Sequence, residues 1–118
     1  MNIVIVGTGY VGLVTGVGFA EQGHTVSFID LDSSKVEKLK DKQLPFFEPD
    51  LDTYFSKKEN FNRMSFHSSY NSLNWDDSEI VFICVQTPNN IETNSVDTKF
   101  LESAISAVSY THLRAHET

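Results

Sequence analysis

Within the first twelve residues, an apolar and largely β-branched run at positions 2–6 (Asn-Ile-Val-Ile-Val) breaks into Gly7-Thr8-Gly9-Tyr10-Val11-Gly12. No other feature constrains the chain as tightly. A run that stays apolar at successive positions reads as a strand buried on both faces, which is the habit of parallel sheets. The G-x-G-x-x-G spacing that follows it opens a helix. Gly7 permits the tight turn out of the strand, Gly9 leaves backbone N–H groups open to a pyrophosphate, and Gly12 lets helix and sheet pack closely. The helix N-terminus then directs partial positive charge at the phosphates.

The rest of the chain alternates in the same way. Positions 10–22 read as a helix, with Val11, Val14, Val17 and Phe19 near helical spacing. Gly12, Gly16 and Gly18 each cost that helix about 1 kcal/mol relative to alanine, so a surface must approach it closely. Gly23 is a left-handed cap. Residues 25–29 form the second strand. Asp32 or Ser33 caps a helix over 34–42 with Val36 and Leu39 inward. Residues 44–47 are a loop, and Pro49 starts a helix with Leu51, Tyr54 and Phe55 on its apolar side. Phe46, Phe47, Tyr54 and Phe55 read as core. Residues 60–63 are a polar linker, 64–67 a third strand, 70–73 a helical turn, and 80–85 a fourth strand. After a loop at 86–94, Asp97 caps a helix running to about Ala107. The expected fold is α/β, a Rossmann-type doubly wound parallel sheet that is incomplete at its C-terminal end.

Ligands of such sheets bind beyond the carboxyl ends of the strands. Residues 7–12, 30–35 and 86–89 should therefore meet at one edge. Asp30 ends the second strand about 20 residues past the glycines, where an acid accepts hydrogen bonds from an adenosine ribose and repels a 2′-phosphate. NAD is favoured over NADP on that ground. The alternative is that Asp30 only caps the turn into the next helix. Lys35 opposes the macrodipole at its helix start, which leaves either a ligand role or an ordinary solvated lysine.

Composition removes other classes. At 118 residues the chain fits one domain. Nine Lys and Arg against sixteen Asp and Glu give a net charge of −7, contrary to a nucleic-acid or anionic-membrane binder. One cysteine excludes an intrachain disulfide framework and a multi-cysteine metal site. No apolar run approaches the roughly 20 residues of a membrane span, and no secretory leader is evident. A reduced, cytoplasmic protein is expected.

Four stretches, at 2–13, 30–39, 45–51 and 85–104, resemble the N-terminal domain of the UDP-glucose/GDP-mannose dehydrogenases. The signature is the Gly-Tyr-Val-Gly-Leu loop in combination with Asp-x-Asp-x-x-Lys-Val, Glu-Pro-x-Leu and Val-x-Thr-Pro. The resemblance implies two nucleotide-binding domains joined by a long helix. It also implies a twofold NAD-dependent oxidation of a sugar C6 alcohol to a uronate through a cysteine thiohemiacetal and thioester. Gly7, Gly9, Tyr10, Val11 and Gly12 would then lie at the pyrophosphate, and Asp30 and Lys35 at the ribose. Thr87 would lie beside the cofactor, and residues 48–51 would border the active-site cleft. UDP-glucose is the implied substrate, with GDP-mannose and UDP-N-acetylmannosamine as alternatives, and the whole protein would be a homo-oligomer. The catalytic cysteine and lysine would lie beyond residue 118.

The chain departs from the family pattern at Gln86, where proline is usual, and at Asp50 and Asn94, where glycine is usual. Residues 1–107 form the expected domain. Residues 108–118 do not continue the pattern and read as a foreign tail. Cys84, inside a strand, reads as a core thiol and not as the nucleophile. His112 and His116 share a helical metal-ligand spacing but have no third ligand nearby. His24 and His67 read as turn or edge residues, and Asp76-Asp77 as a solvated turn. A stand-alone module that senses NAD without catalysis is the competing class.

Overall fold

A computed structural model of the chain describes residues 1–90, 92 and 95–115. Asn94, His116 and the side chain of His112 lie outside that description. Four strands, β1 (Asn2–Val6), β2 (Thr25–Ile29), β3 (Met64–His67) and β4 (Ile80–Ile83), form one parallel sheet in the order β3-β2-β1-β4. The chain winds outward from β1 to β3 and then crosses back to place β4 on β1's other side. That reversal is a topological switch point. Val6 pairs with both Ile29 and Ile83, so three strand ends lie level.

Strand alternation divides the core in two. Ile3 and Ile5 of β1 face one layer with Val26, Phe28, Met64 and Phe66, while Val4 and Val6 face the other with Ile29. The first layer is covered by α1 (Tyr10–Glu21), α2 (Ser33–Lys40), α3 (Pro49–Ser56) and α4 (Lys58–Asn62). The second is covered by two 3-10 turns, Tyr70–Ser72 and Trp75–Asp77, and by α5 (Lys99–Ala115). Trp75 is buried there, its indole N–H donating to the Tyr70 carbonyl at 2.6 Å.

Local chemistry accounts for the helix ends. Asp32 caps α2, its Oδ1 accepting from the backbone N–H and hydroxyl of Ser34 and from the Lys35 N–H. Those hydrogen bonds hold its carboxyl below the usual range. Gly23 takes φ +99° after α1, as expected of the cap. Asp97 accepts from the Lys99 N–H at the start of α5.

Several expectations change. The polar stretch at 60–63 is largely helical: it lies in and just after α4. Asn60 is buried because its amide donates to the Glu21 carboxylate and the Tyr54 carbonyl, while its oxygen accepts from Arg63. The polar residue is an anchor, not a linker. In α1 the inward face is Gly12, Leu13, Gly16, Val17 and Ala20; Val11 and Val14 are exposed. Phe55 is core and Phe46 packs beside it, but Phe47 is 88% and Tyr54 45% exposed. The loop after β4 contains a two-residue antiparallel pairing, Asn89–Asn90 with Ser95–Val96. The helix expected to end near Ala107 continues to Ala115, and Val108 is buried in the second layer.

The glycines of α1 are not equivalent. A Cβ on Gly16 would enter the Phe28 ring, whereas one on Gly18 would meet nothing within 4 Å. Gly16→Ala is expected to destabilise the chain by about 1–3 kcal/mol through overpacking. Gly18→Ala is expected to stabilise it by roughly 0.5–1 kcal/mol through helix propensity. Urea midpoints of both variants check this, and a loss of stability in both would contradict the inequivalence.

Candidate nucleotide-binding site

The site begins where β1 ends. The Gly7 N–H donates to the Ile29 carbonyl at 2.7 Å, tying the loop to β2. Gly7 then turns at φ +103°, a conformation that disfavours side chains, and a Cβ there would strike the Cys84 carbonyl of the neighbouring strand end. The turn leads to Gly9, the N-cap of α1, whose backbone is extended and whose missing side chain leaves open space. No side chain caps α1 and its first turn holds no acidic residue, so its leading N–H groups are available to an anion. Gly12 serves a separate purpose, because a Cβ there would collide with the Gly7 carbonyl. It sets the distance between loop and helix.

Asp30 follows β2 directly. Its Oδ2 accepts from the backbone N–H of Thr8 at 3.0 Å and from the Thr8 hydroxyl at 2.6 Å. Its Oδ1 accepts from the Asp32 N–H at 3.0 Å. Lys35 Nζ stands 3.8 Å from Oδ2, reaching back from the first turn of α2. The carboxylate is therefore joined to both the glycine loop and the α2 turn, and it is more than a cap for that turn.

These groups border a cleft of about 620 Å³ between the strand ends and α5. Gly7, Thr8, Gly9, Asp30 and Lys35 line it, with Cys84, Val85 and Gln86 from the end of β4. The three segments expected at one sheet edge do meet there. Tyr10, Val11 and Gly12 do not line the cleft: Tyr10 stacks obliquely on Phe46 with centroids 5.3 Å apart, Val11 points to solvent, and Gly12 is buried. Thr87 is exposed beyond the cleft's edge.

Sequence reasoning passed over Thr8, Tyr70 and the inner face of α5. Phe100, Ser103, Ala104 and Ala107 line the far wall at helical spacing, a pattern that was legible in the sequence. Tyr70 adds an aromatic wall. Burial, and then the charge of Asp30, push its phenol above the usual range. The Cys84 thiol is also raised, by burial.

A glycine loop, an uncapped helix and a strand-end acid at a switch point are shared by many nucleotide-binding sheets. The family model for the UDP-glucose/GDP-mannose dehydrogenase family, NAD binding domain, matches residues 1–117. The chain belongs to this family. UDP-glucose 6-dehydrogenase of Rickettsia felis is 39% identical over 109 residues, 92% of this chain and 24% of that protein. UDP-glucose 6-dehydrogenase YwqF of Bacillus subtilis is 43% identical over 88 residues, 75% of this chain and 20% of that protein. The crystal structure of a ternary complex of GDP-mannose dehydrogenase from Pseudomonas aeruginosa superposes with a TM-score of 0.85 at 28% identity, over 94% of this chain and 25% of that one. The chain thus spans about a quarter of the length of such relatives and corresponds to the family's NAD-binding domain. The donor set suits that cofactor: a cleft of dinucleotide scale, an uncapped helix N-terminus for a diphosphate, and a carboxylate with an acceptor left for a ribose hydroxyl. Among the described residues no helix is long and apolar enough to cross a membrane.

Cys84 is the chain's one thiol, and it is partly buried at the cleft. With its pKa raised, little thiolate exists at neutral pH. Iodoacetamide at neutral pH is expected to alkylate the folded chain much more slowly than the urea-unfolded chain. Equal rates, followed by mass spectrometry, would contradict that environment.

Proposed function

We propose that the chain is the NAD-holding portion of a nucleotide-sugar 6-dehydrogenase whose sugar nucleotide is UDP-glucose, acting in the cytoplasm as part of a homo-oligomeric whole protein. The observation that carries this is the meeting of the uncapped α1 N-terminus and the Asp30 carboxylate across one cleft at the switch point. In this reading the α1 N–H groups hold the diphosphate, Gly9 leaves them accessible, and Asp30 with Lys35 holds the adenosine ribose. Tyr10, Val11 and Thr87 act from the rim, and Gly12 acts through packing. When bound, NAD supplies the hydride acceptor for the sugar alcohol carbon. The nucleophile for the second oxidation is assigned to the rest of the protein, because Cys84 is partly buried with a raised pKa. UDP-glucose is preferred to GDP-mannose or UDP-N-acetylmannosamine because the two sequence relatives above, at 39% and 43% identity, carry that name.

Two measurements test the cofactor reading. Isothermal titration is expected to give tighter binding of NAD than of NADP, since Asp30 opposes a 2′-phosphate. Asp30→Ala should weaken NAD by about 1–3 kcal/mol, the scale of hydrogen bonds to a charged acceptor. Equal affinity for the two cofactors would remove Asp30 from the ribose.

Gly9→Val tests the diphosphate. The new side chain meets no protein atom within 4 Å at its Cβ, so the melting temperature should hold while NAD binding is lost. Unchanged NAD binding would reduce the loop to a structural turn.

A further inference from the structure

We propose that Thr8, at an unspecified position of the glycine motif, is a positioning residue that fixes how Asp30 meets the cofactor ribose and so enforces the choice of NAD over NADP. The inference rests on the NAD reading above and adds to it a residue outside the motif's glycines and acids.

The geometry begins with Gly7. Its N–H is bound to the last carbonyl of β2, and its positive-φ turn aims the next residue across the loop at Asp30. Thr8 is 1% exposed, and it places two donors, its N–H and its hydroxyl, on the single oxygen Oδ2. A carboxylate oxygen offers two lone pairs, so these two bonds fill Oδ2. On Oδ1 the Asp32 N–H takes one lone pair, and one remains. Asp30 can thus present one acceptor, at one orientation, to a ribose hydroxyl. Lys35 lies beside the filled oxygen and supplies the complementary donor at the rim.

The backbone N–H groups of Thr8 and Asp32 would serve whatever the Thr8 side chain, one on each carboxylate oxygen. The hydroxyl adds a third hydrogen bond, fills the second lone pair of Oδ2 and tightens the carboxylate's orientation. The 2.6 Å distance is that of a charge-assisted O–H···O bond, among the stronger kinds. Preorganisation of this kind raises affinity by removing a cost of binding. It favours a free 2′-hydroxyl, which can donate to the held oxygen. NADP has an ester at that position and cannot donate from it.

The test uses the 118-residue chain with NAD and NADP as probes, titrated calorimetrically, and with thermal melts of every variant. Thr8→Val keeps the shape and removes the hydroxyl, and Thr8→Ser keeps the hydroxyl. Thr8→Ala removes the hydroxyl without refilling its space, which preserves the comparison if the valine variant does not fold. Loss of the hydroxyl is expected to weaken NAD about tenfold, to change NADP little, and so to narrow the NAD:NADP ratio by the same factor, with serine restoring it. A lowered melting temperature with an unchanged ratio would overturn the proposal and leave Thr8 structural. If the unsubstituted chain binds NAD with no preference over NADP, the proposal fails while NAD binding stands. If it binds neither, the NAD reading fails and takes this inference with it.

Discussion

The structure depends on one crowded point, the carbonyl of Cys84 against the α-carbon of Gly7. Only a residue without a side chain can turn at φ +103° in that space. Because it can, β1 lies between β2 and β4 with its end level with both. The loop folds back to bond Ile29, and α1 starts close enough over the sheet for Gly12 to touch the Gly7 carbonyl. A larger residue at Gly7 would have to open the sheet or abandon the loop. Fold and cleft share this constraint, which explains why one short stretch of sequence indicates both.

Electrostatics sharpen the cleft. The chain carries a net charge of −7, yet the leading turn of α1 contains no acid. Asp30 is kept one strand away, bound by Thr8, Asp32 and Lys35. The uncapped helix end and the Asp30 carboxylate are thus kept apart at the cleft. Had an acid capped α1, it would have taken the N–H groups that a diphosphate needs.

Much of this was legible before any coordinates. β1 announced itself because both-face burial leaves an unbroken apolar run, as in Ile3–Val6; the apolar run at 80–85 marked β4, although that strand ends at Ile83 and, at the sheet's edge, is only partly covered. The glycine spacing and Asp30 marked the cleft because their chemistry needs those residue types. What escaped depended on partners distant in sequence. Asn60 looked like linker because its anchors, Glu21 and Tyr54, lie on other helices. The inward face of α1 was not legible, because the near-helical spacing of Val11, Val14 and Val17 does not say which face the sheet will take. Phe47 looked like core because hydrophobicity does not reveal what is left to cover it. Thr8 was hidden in a position the motif leaves free, since its value comes only from where Asp30 ends.

The alternating faces of β1 have a further consequence. Ile5 belongs to the layer under α1 and Val6 to the layer under α5, and Gly7 comes next. A slip of one residue in this strand would exchange the two layers and also draw the loop about 3.3 Å out of line with Asp30. Ligand affinity in such a sheet is therefore a gauge of register. A substitution deep in either layer, touching nothing in the cleft, can be detected there as a change in grip, because the binding groups are displaced by whatever displaces the strand that carries them.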